Sequence, residues 1–294
     1  MNIRDLEYII AVSEQKSFIK ASEVCFVSQP ALSMQIKKLE DELDVILFER
    51  QYKTVILTEA GKAIVEKAKI ILAEVNNLKQ LAKSFHSPLS GILKMGLFPT
   101  IAQYILPDIL KIFQKDLPDL LLHPVEEKTP IIEKMLNSGE IDCAILASPV
   151  DEHLFSFNPI FKDQLYAAVP AKHKLANEKT INLNQLTKEP LLLLEEGHCL
   201  RSQTLSFCAQ SEHPLNINRT TTSLESLRHM VLAGFGVTII PEIAIKGALF
   251  NSDQIRYISF DKASFRQIGL VFRKTNPNKL LETKLTESLK KYFA

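Results

Sequence analysis

Two of the chain's four cysteines stand in one short polar run, EEGHCLRSQTLSFC, from Glu195 to Cys208. Cys199 lies between His198 and Leu200, with Arg201 two residues on. The thiolate is the reactive form of cysteine, and nearby cations or a helix N-terminus lower its pKa. Cys208 follows nine residues later, close enough in sequence to trap an oxidised Cys199 as a disulfide. If the segment is helical, nine residues rise about 13.5 Å and turn about two and a half times. The two side chains then point to opposite faces. Bridged cysteines need Cα atoms within about 7 Å. A disulfide here would require the helix to melt, and would act as a switch rather than a staple. The alternative is a pair of unrelated cysteines.

The elements that must position such a site alternate downstream of residue 91. Ile92–Phe98, Leu120–Val125 and Cys143–Leu146 read as strands, with helices at Ile101–Gln114 and Thr129–Asn137 between them. A second set runs through Leu165–Val169, Leu191–Leu194, the 199–208 segment, a helix at Leu224–Leu232 and a strand at Val237–Ile240. Ile268–Phe272 and a helix at about Lys279–Tyr292 complete it. Such alternation predicts mainly parallel sheets in two similar α/β lobes with a cleft between them.

The N-terminal region reads differently. Leu6, Ile9, Ile10 and Ser13 mark a first helix; Phe18, Ala21, Val24 and Cys25 mark a second. Ser28 is a good N-cap and Pro30 fits a first turn. Leu32, Ile36, Leu39 and Leu43 then give a third helix one buried face. Ser33, Gln35, Lys37 and Lys38 are expected on its exposed side, in the manner of a helix-turn-helix. Ile46–Arg50 and Thr54–Thr58 suit a β-wing. Periodicity alone leaves a generic three-helix bundle equally open. A long helix from Thr58 to about Phe85 carries Ile64, Ile71, Leu78 and Phe85 every seven residues, with Ala68, Val75 and Ala82 four after each of the first three. That is an a/d seam for a second helix, or a face packed on its own domain. HSPLSG, His86 to Gly91, reads as a linker. The expected divisions are 1–58, 59–87 and 91–294.

Composition limits the function classes. The 294 residues are 46% apolar with a net charge of +1, ordinary for a globular protein. No run of about 18 apolar residues suggests a membrane span. The N-terminus lacks a signal-peptide pattern, so a cytoplasmic protein is expected, where disulfides are transient or sensing. Residues 1–65 hold eight Lys and Arg against ten Asp and Glu, so nucleic-acid binding must rest on placement. Val24–Leu39 holds no acid but has Lys37 and Lys38, and Gln51–Leu57 holds none but has Lys53, just after Arg50.

FIKASEVCFVSQPALSMQIKKLEDEL, LFER and LTEAG, between Phe18 and Gly61, resemble the N-terminal signature of LysR-type transcriptional regulators. The downstream region, about 91–294, resembles their two-lobed effector domain, akin to periplasmic binding proteins. Within that family, EEGHCLRSQTLSFC and TTSLESLRHMVLAGFGVTIIP are similar to the hydrogen-peroxide-sensing branch. The resemblance covers essentially the whole chain. Asp44 stands where the family usually has a glycine after the third helix, and Asp tolerates a left-handed turn moderately well.

The resemblance implies an α/β fold: a winged helix-turn-helix, a linker helix for dimerisation and a two-lobed regulatory domain. It implies that Cys199 is the peroxidatic cysteine and Cys208 the resolving one. Thr100 (in LFPTI) and Thr129 (in EEKTP) would position peroxide and its water; each hydroxyl also has a simpler reading as a helix N-cap. His198 and Arg201 would flank the thiol, and Arg266 (in FRQIG) would lie near it in the reduced form. Cys143, after Asp142, and Cys25 are expected to be packing residues. Ser28, Gln29, Pro30, Ser33, Gln35, Lys37, Lys38, Arg50 and Lys53 would meet double-stranded DNA. The implied partners are an operator, RNA polymerase, hydrogen peroxide and further copies in a homodimer or homotetramer, with no membrane, cofactor or metal. The protein would be a regulator, not an enzyme.

Three other readings compete. A LysR-type regulator for a small organic inducer uses the same fold. A thiol peroxidase would need neither helix-turn-helix nor seam. A metal sensor built from His198, Cys199, Cys208 and His213 lacks the usual close cysteine spacing.

Overall fold

The computed structural model describes residues 1–51, 54–84, 87–247, 253–262 and 264–293. The chain divides into two compact units: Met1–Phe85 with Asn137–Glu140, and His86–Leu136 with Ile141–Ala294.

The first unit begins with α1 (Ile3–Gln15), α2 (Phe18–Val24) and α3 (Gln29–Leu43). Each start has a local cause. Asn2 and Asp5 form a reciprocal capping box on α1; Ser17 caps α2 and Ser28 caps α3. Asp44 ends α3 in the left-handed conformation, φ 54°, as its residue type permits. The wing is an antiparallel hairpin of β1 (Phe48–Gln51) and β2 (Thr54–Leu57). It is fixed to α3 by Glu40, whose Oε1 accepts from the Leu47 and Phe48 amides at 2.7 and 3.2 Å. Thr58 and Gly61 of the LTEAG motif explain themselves here. Thr58 Oγ1 accepts from the Gly61 amide and donates to the Ile46 carbonyl. A Cβ at Gly61 would lie 2.2 Å from the Leu47 carbonyl oxygen, so no side chain fits.

The long helix α4 (Glu59–Ser84) is about 39 Å long, and it is not one uniform seam. Val65 and Ala68 are buried in the winged domain's core, with Ile64 and Leu72 packed beside them. Ile71 is 44% exposed and Leu78 66%. The heptad reading therefore needs correction in its first part. Ile64 and Ala68 serve their own domain, because the apolar face of α4 is wide enough to pack on α1 there. The apolar stripe is open only farther along. Phe85 lies outside the described residues.

The second unit has two cores. Lobe I holds β3 (Gly91–Leu97), α5 (Pro99–Asp116), β4 (Leu120–Glu126), α6 (Thr129–Asn137), β5 (Cys143–Ala147) and, at the end of the chain, β12 (Phe265–Arg273) and α11 (Lys279–Phe293). Between them β6 (Phe155–Pro170) carries the chain into lobe II. Lobe II comprises β7 (Thr180–Ile181), α7 (Leu183–Leu186), β8 (Leu191–Leu194), α8 (Cys199–Cys208), β9 (Ile217–Thr221), α9 (Leu224–Leu232), β10 (Thr238–Pro241), α10 (Glu242–Lys246) and β11 (Ile255–Phe260).

The two-lobed expectation holds, but the sheet is mixed, not mainly parallel. β3 pairs in parallel with β4 and β5, and β8 with β9. β12 runs antiparallel to both β5 and β6, and β10 and β11 run antiparallel to β6. The chain enters lobe II along β6 and returns along β12, and neighbouring strands that cross in opposite directions must be antiparallel. The 16-residue β6 spans both lobes; only its Leu165–Val169 end was legible as a strand, because the half that pairs with β12 is less apolar.

Candidate redox site and nucleic-acid face

Cys199 is the first residue of α8, after His198 as N-cap. It is half-buried and packs against the apolar cluster of lobe I, although α8 belongs to lobe II. Three helix N-termini contribute to its surroundings. Thr129 opens α6, and its hydroxyl is directed at the sulfur; it has no other partner among the described residues. Thr100, in the first turn of α5, is buried and accepts from Arg266 Nη1 at 3.0 Å. Neither hydroxyl caps its helix, so the N-cap reading fails for both.

Arg266, on β12, is 2% exposed. Its position opposite Asp163 on β6 is set by strand register. Asp163 Oδ2 accepts from Arg266 Nε at 2.9 Å and lies 2.8 Å from Nη2. Nη2 also donates to the Thr100 carbonyl at 3.1 Å, and the guanidinium sits 5.3 Å from the centre of the Phe98 ring. Asp163 Oδ1 accepts from the Ile243 amide at the start of α10. Asp163 was not anticipated. The signal was present in the lone carboxylate of this strand, in FKDQLYAAV.

The electrostatics depart from the sequence reading. Burial pushes the Cys199 thiol up, and Arg266, the Thr129 hydroxyl and backbone amides at the helix start only partly oppose this. Arg266 is matched at contact distance by Asp163, so the sulfur meets a nearly neutral pair rather than a bare cation. His198 is not a cationic neighbour. Burial and Lys128 hold its pKa down, it bonds to the Thr222 backbone, and its Nε2 has no partner among the described residues. Arg201 is turned away, donating from Nη1 to the Leu194 carbonyl at 2.8 Å. The cation that bears on the thiol comes from a strand 67 residues downstream in the chain, from position 199 to position 266.

The loop before Cys199 and α8 itself are each tied across the lobes. Lys128 Nζ donates to the Glu196 carbonyl at 3.1 Å, and Gln203 Nε2 donates to the Ser148 carbonyl at 3.3 Å. One turn beyond Thr100 on α5, Tyr104 donates to Glu225 Oε1 on α9 at 2.9 Å. Arg228, buried, pairs with the same carboxylate and bonds to the Ala244 carbonyl and the Tyr257 hydroxyl. This second cross-lobe contact also escaped the sequence reading.

Cys208 occupies the other environment. It is buried in the lobe II core with Leu200, Leu224 and Leu227, and burial pushes its thiol up to about 11. Phe207 beside it packs edge-on against Phe260. All four cysteines are free thiols. Cys143 is fully buried in lobe I and Cys25 is partly buried beside the winged domain's core, in keeping with packing.

On the first unit, Ser28, Gln29, Pro30, Lys37 and Lys38 are exposed. Ser33 and Gln35 are half-buried, correcting the expectation of full exposure: they flank the Leu32, Ile36, Leu39 face and do not oppose it. Ser28 is committed to capping, and Gln29 Nε2 donates to Ser33 Oγ at 3.3 Å. Arg50 lies on β1, but its side chain, like the whole of Lys53, falls outside the described residues. Among the described residues no helix is long and apolar enough to cross a membrane.

Comparisons with known proteins agree with this architecture. Residues 3–62 match the bacterial regulatory helix-turn-helix proteins of the lysR family, and residues 86–294 match the LysR substrate binding domain. The chain is 39% identical over 291 residues to the DNA-binding transcriptional dual regulator OxyR of Escherichia coli K12, covering 99% of this chain and 95% of that protein. It is 38% identical over 293 residues to the hydrogen peroxide-inducible genes activator of Dickeya chrysanthemi, covering 100% and 96%. A full-length cysteine-to-aspartate variant of OxyR from Pseudomonas aeruginosa superposes with a TM-score of 0.76 at 33% identity, over 99% of this chain and 95% of that one. With a capped helix-turn-helix, a two-lobed α/β domain and full-length relatives of this kind, the chain belongs to the LysR family of bacterial transcription regulators, within its OxyR branch.

Proposed function

We propose that this chain is a DNA-binding transcription regulator of the cytoplasm that senses hydrogen peroxide through Cys199 and activates antioxidant genes. The observation that carries the reading is the setting of Cys199: a half-buried thiol at a helix N-terminus, with the Thr129 hydroxyl and Arg266 beside it.

Chemically, the Cys199 thiol gives up its proton and the sulfur attacks one peroxide oxygen. The O–O bond breaks, and the departing hydroxide takes the proton and leaves as water. Cys199 is thereby oxidised to sulfenic acid and peroxide is reduced. Thr129 donates or accepts without adding charge. Thr100, already accepting from Arg266, keeps its own proton to donate to peroxide or its water. His198 supports the loop as a neutral N-cap, and Arg201 fixes the helix start to β8. The Cys208 thiol then attacks the sulfenic sulfur, expelling a second water and leaving a Cys199–Cys208 disulfide. Along a regular helix the pair is separated by about 13.5 Å of rise, and Cys208 lies in an apolar core, so the second step requires α8 to unwind. That unwinding changes the lobe arrangement and, through the linker helix α4, the grip of a homodimer or homotetramer on its operator and the contact with RNA polymerase. Arg50 and Lys53 of the wing and Lys37 and Lys38 of α3 meet phosphates, while Gln29, Pro30, Ser33 and Gln35 approach bases.

The second reading, a regulator for a small organic inducer, draws on a cavity of about 370 Å³ lined by Tyr104, Phe161, Lys162, Glu242 and Lys246 among others. Its Lys246 is already paired with Glu242 at 2.9 Å, and its Lys162 lies over the Phe265 ring. Peptide mass spectrometry after equimolar peroxide, run beside transcription from a target promoter, separates the two. The expected result is a Cys199–Cys208 linkage and a response that Cys199→Ser removes. A response that survives in Cys199→Ser would falsify the peroxide reading.

A further inference from the structure

On α3 the face opposite Leu32, Ile36 and Leu39 carries one large exposed apolar side chain. Met34 is 66% exposed and belongs to no apolar cluster of its domain. Its neighbours one turn away on the helix surface are Pro30, Lys37 and Lys38, all exposed. To one side lies the hydrogen-bonded Gln29–Ser33 pair. The thioether therefore packs into none of the core of its domain.

Charge placement shows which half of α3 can approach DNA. From Gln29 to Leu39 the helix has two lysines and no acid. Its acids lie beyond, and Glu40 is committed to the wing amides while Glu42 pairs with the N-terminal amine. The N-terminal half is therefore the one suited to a DNA groove, with Met34 at the middle of its exposed face. In the major groove thymine alone presents a methyl group, which is read by apolar contact.

We propose that Met34 reads a thymine methyl in each half of the operator. This rests on the DNA-binding reading and adds a sequence preference to it. The flexible thioether can follow the methyl without demanding a fixed rotamer, while Lys37 and Lys38 hold the adjacent phosphates and fix the register.

The test uses the full-length protein and a randomised double-stranded DNA library. Alanine is the strongest helix former and Met34 is not packed, so Met34→Ala keeps the fold. Wild type and Met34→Leu are expected to enrich a thymine at one position of each half-site. Met34→Ala should lose that preference alone and keep the rest of the site. Replacing that thymine by deoxyuridine, which removes only the methyl, should weaken wild type about fourfold per half-site and leave Met34→Ala unaffected. If both proteins enrich the same thymine and lose equal affinity to deoxyuridine, another group reads the methyl and the proposal is overturned. If Met34→Ala changes oligomeric state but not the selected sequence, Met34 is a protein contact and the proposal is likewise overturned. Failure of wild type to enrich any sequence overturns the DNA-binding reading itself along with it.

Discussion

The two ends of α8 carry the same side chain in opposite surroundings. At the N-terminal end Cys199 is half-buried against the other lobe, within reach of Thr129 and an arginine–aspartate pair. At the C-terminal end Cys208 is sealed among leucines of its own lobe, its thiol pushed up to about 11. The contrast teaches that readiness to react is set by what the fold places around a thiol, and that two thiols on one helix can have separate duties. The long helix α4 repeats the lesson with apolar residues. Val65 and Ala68 are spent on the winged domain, while Ile71 and Leu78 remain available to a second helix.

The largest effects come from removing one side of each contrast. Cys199→Ser should abolish sulfenic acid, disulfide and transcriptional response together. Cys208→Ser should still form sulfenic acid, detectable with a dimedone probe, but no disulfide. If the two variants behave alike, the division of labour fails. On α4, Ile71→Glu would bury an unpaired carboxylate in a dimer seam and should yield monomers by sedimentation at tens of micromolar. An intact dimer would place the seam elsewhere.

A smaller effect sharpens the electrostatics. Because burial holds the Cys199 thiol up, its reaction with peroxide or iodoacetamide should climb about tenfold per pH unit across neutral pH as the thiolate fraction grows. A rate that is flat from pH 6 to 8 would mean that Arg266 has already ionised the sulfur. Asp163→Asn should unmask Arg266 and raise Cys199 reactivity at pH 7 by roughly threefold to tenfold. The same change should destabilise the fold by about 3–5 kcal/mol, because it leaves a buried charge without its partner. Thermal melts and alkylation rates on one sample read both.

The smallest effect concerns the sealed end. Phe207→Ala removes the edge-on contact with Phe260, worth about 1 kcal/mol. It should speed disulfide closure severalfold while leaving the first oxidation of Cys199 unchanged. Stopped-flow thiol loss in which both steps accelerate equally would show that α8 does not unwind from this end.

Much of this was legible from the chain alone because it depends on neighbours in sequence. The helices Thr129–Asn137 and Leu224–Leu232 have the expected bounds, the 199–208 segment is the helix that the spacing argument supposed, and Ser28 caps α3 as its residue type suggests. Apolar period and capping are local properties, so spacing reveals them. The opposed directions of Cys199 and Cys208 follow from helical pitch in the same way. What spacing could not reveal was which cation faces the sulfur. Arg201 and His198 are adjacent in sequence, yet one bonds to Leu194 and the other is held neutral by burial. Arg266 reaches the site only because β12 pairs with β6, which also places Asp163 against it across 103 positions of sequence. The antiparallel crossing strands and the Tyr104–Glu225 contact were decided by the same long-range pairing. Desolvation and charge compensation act through space, and only the tertiary fold determines which residues share that space.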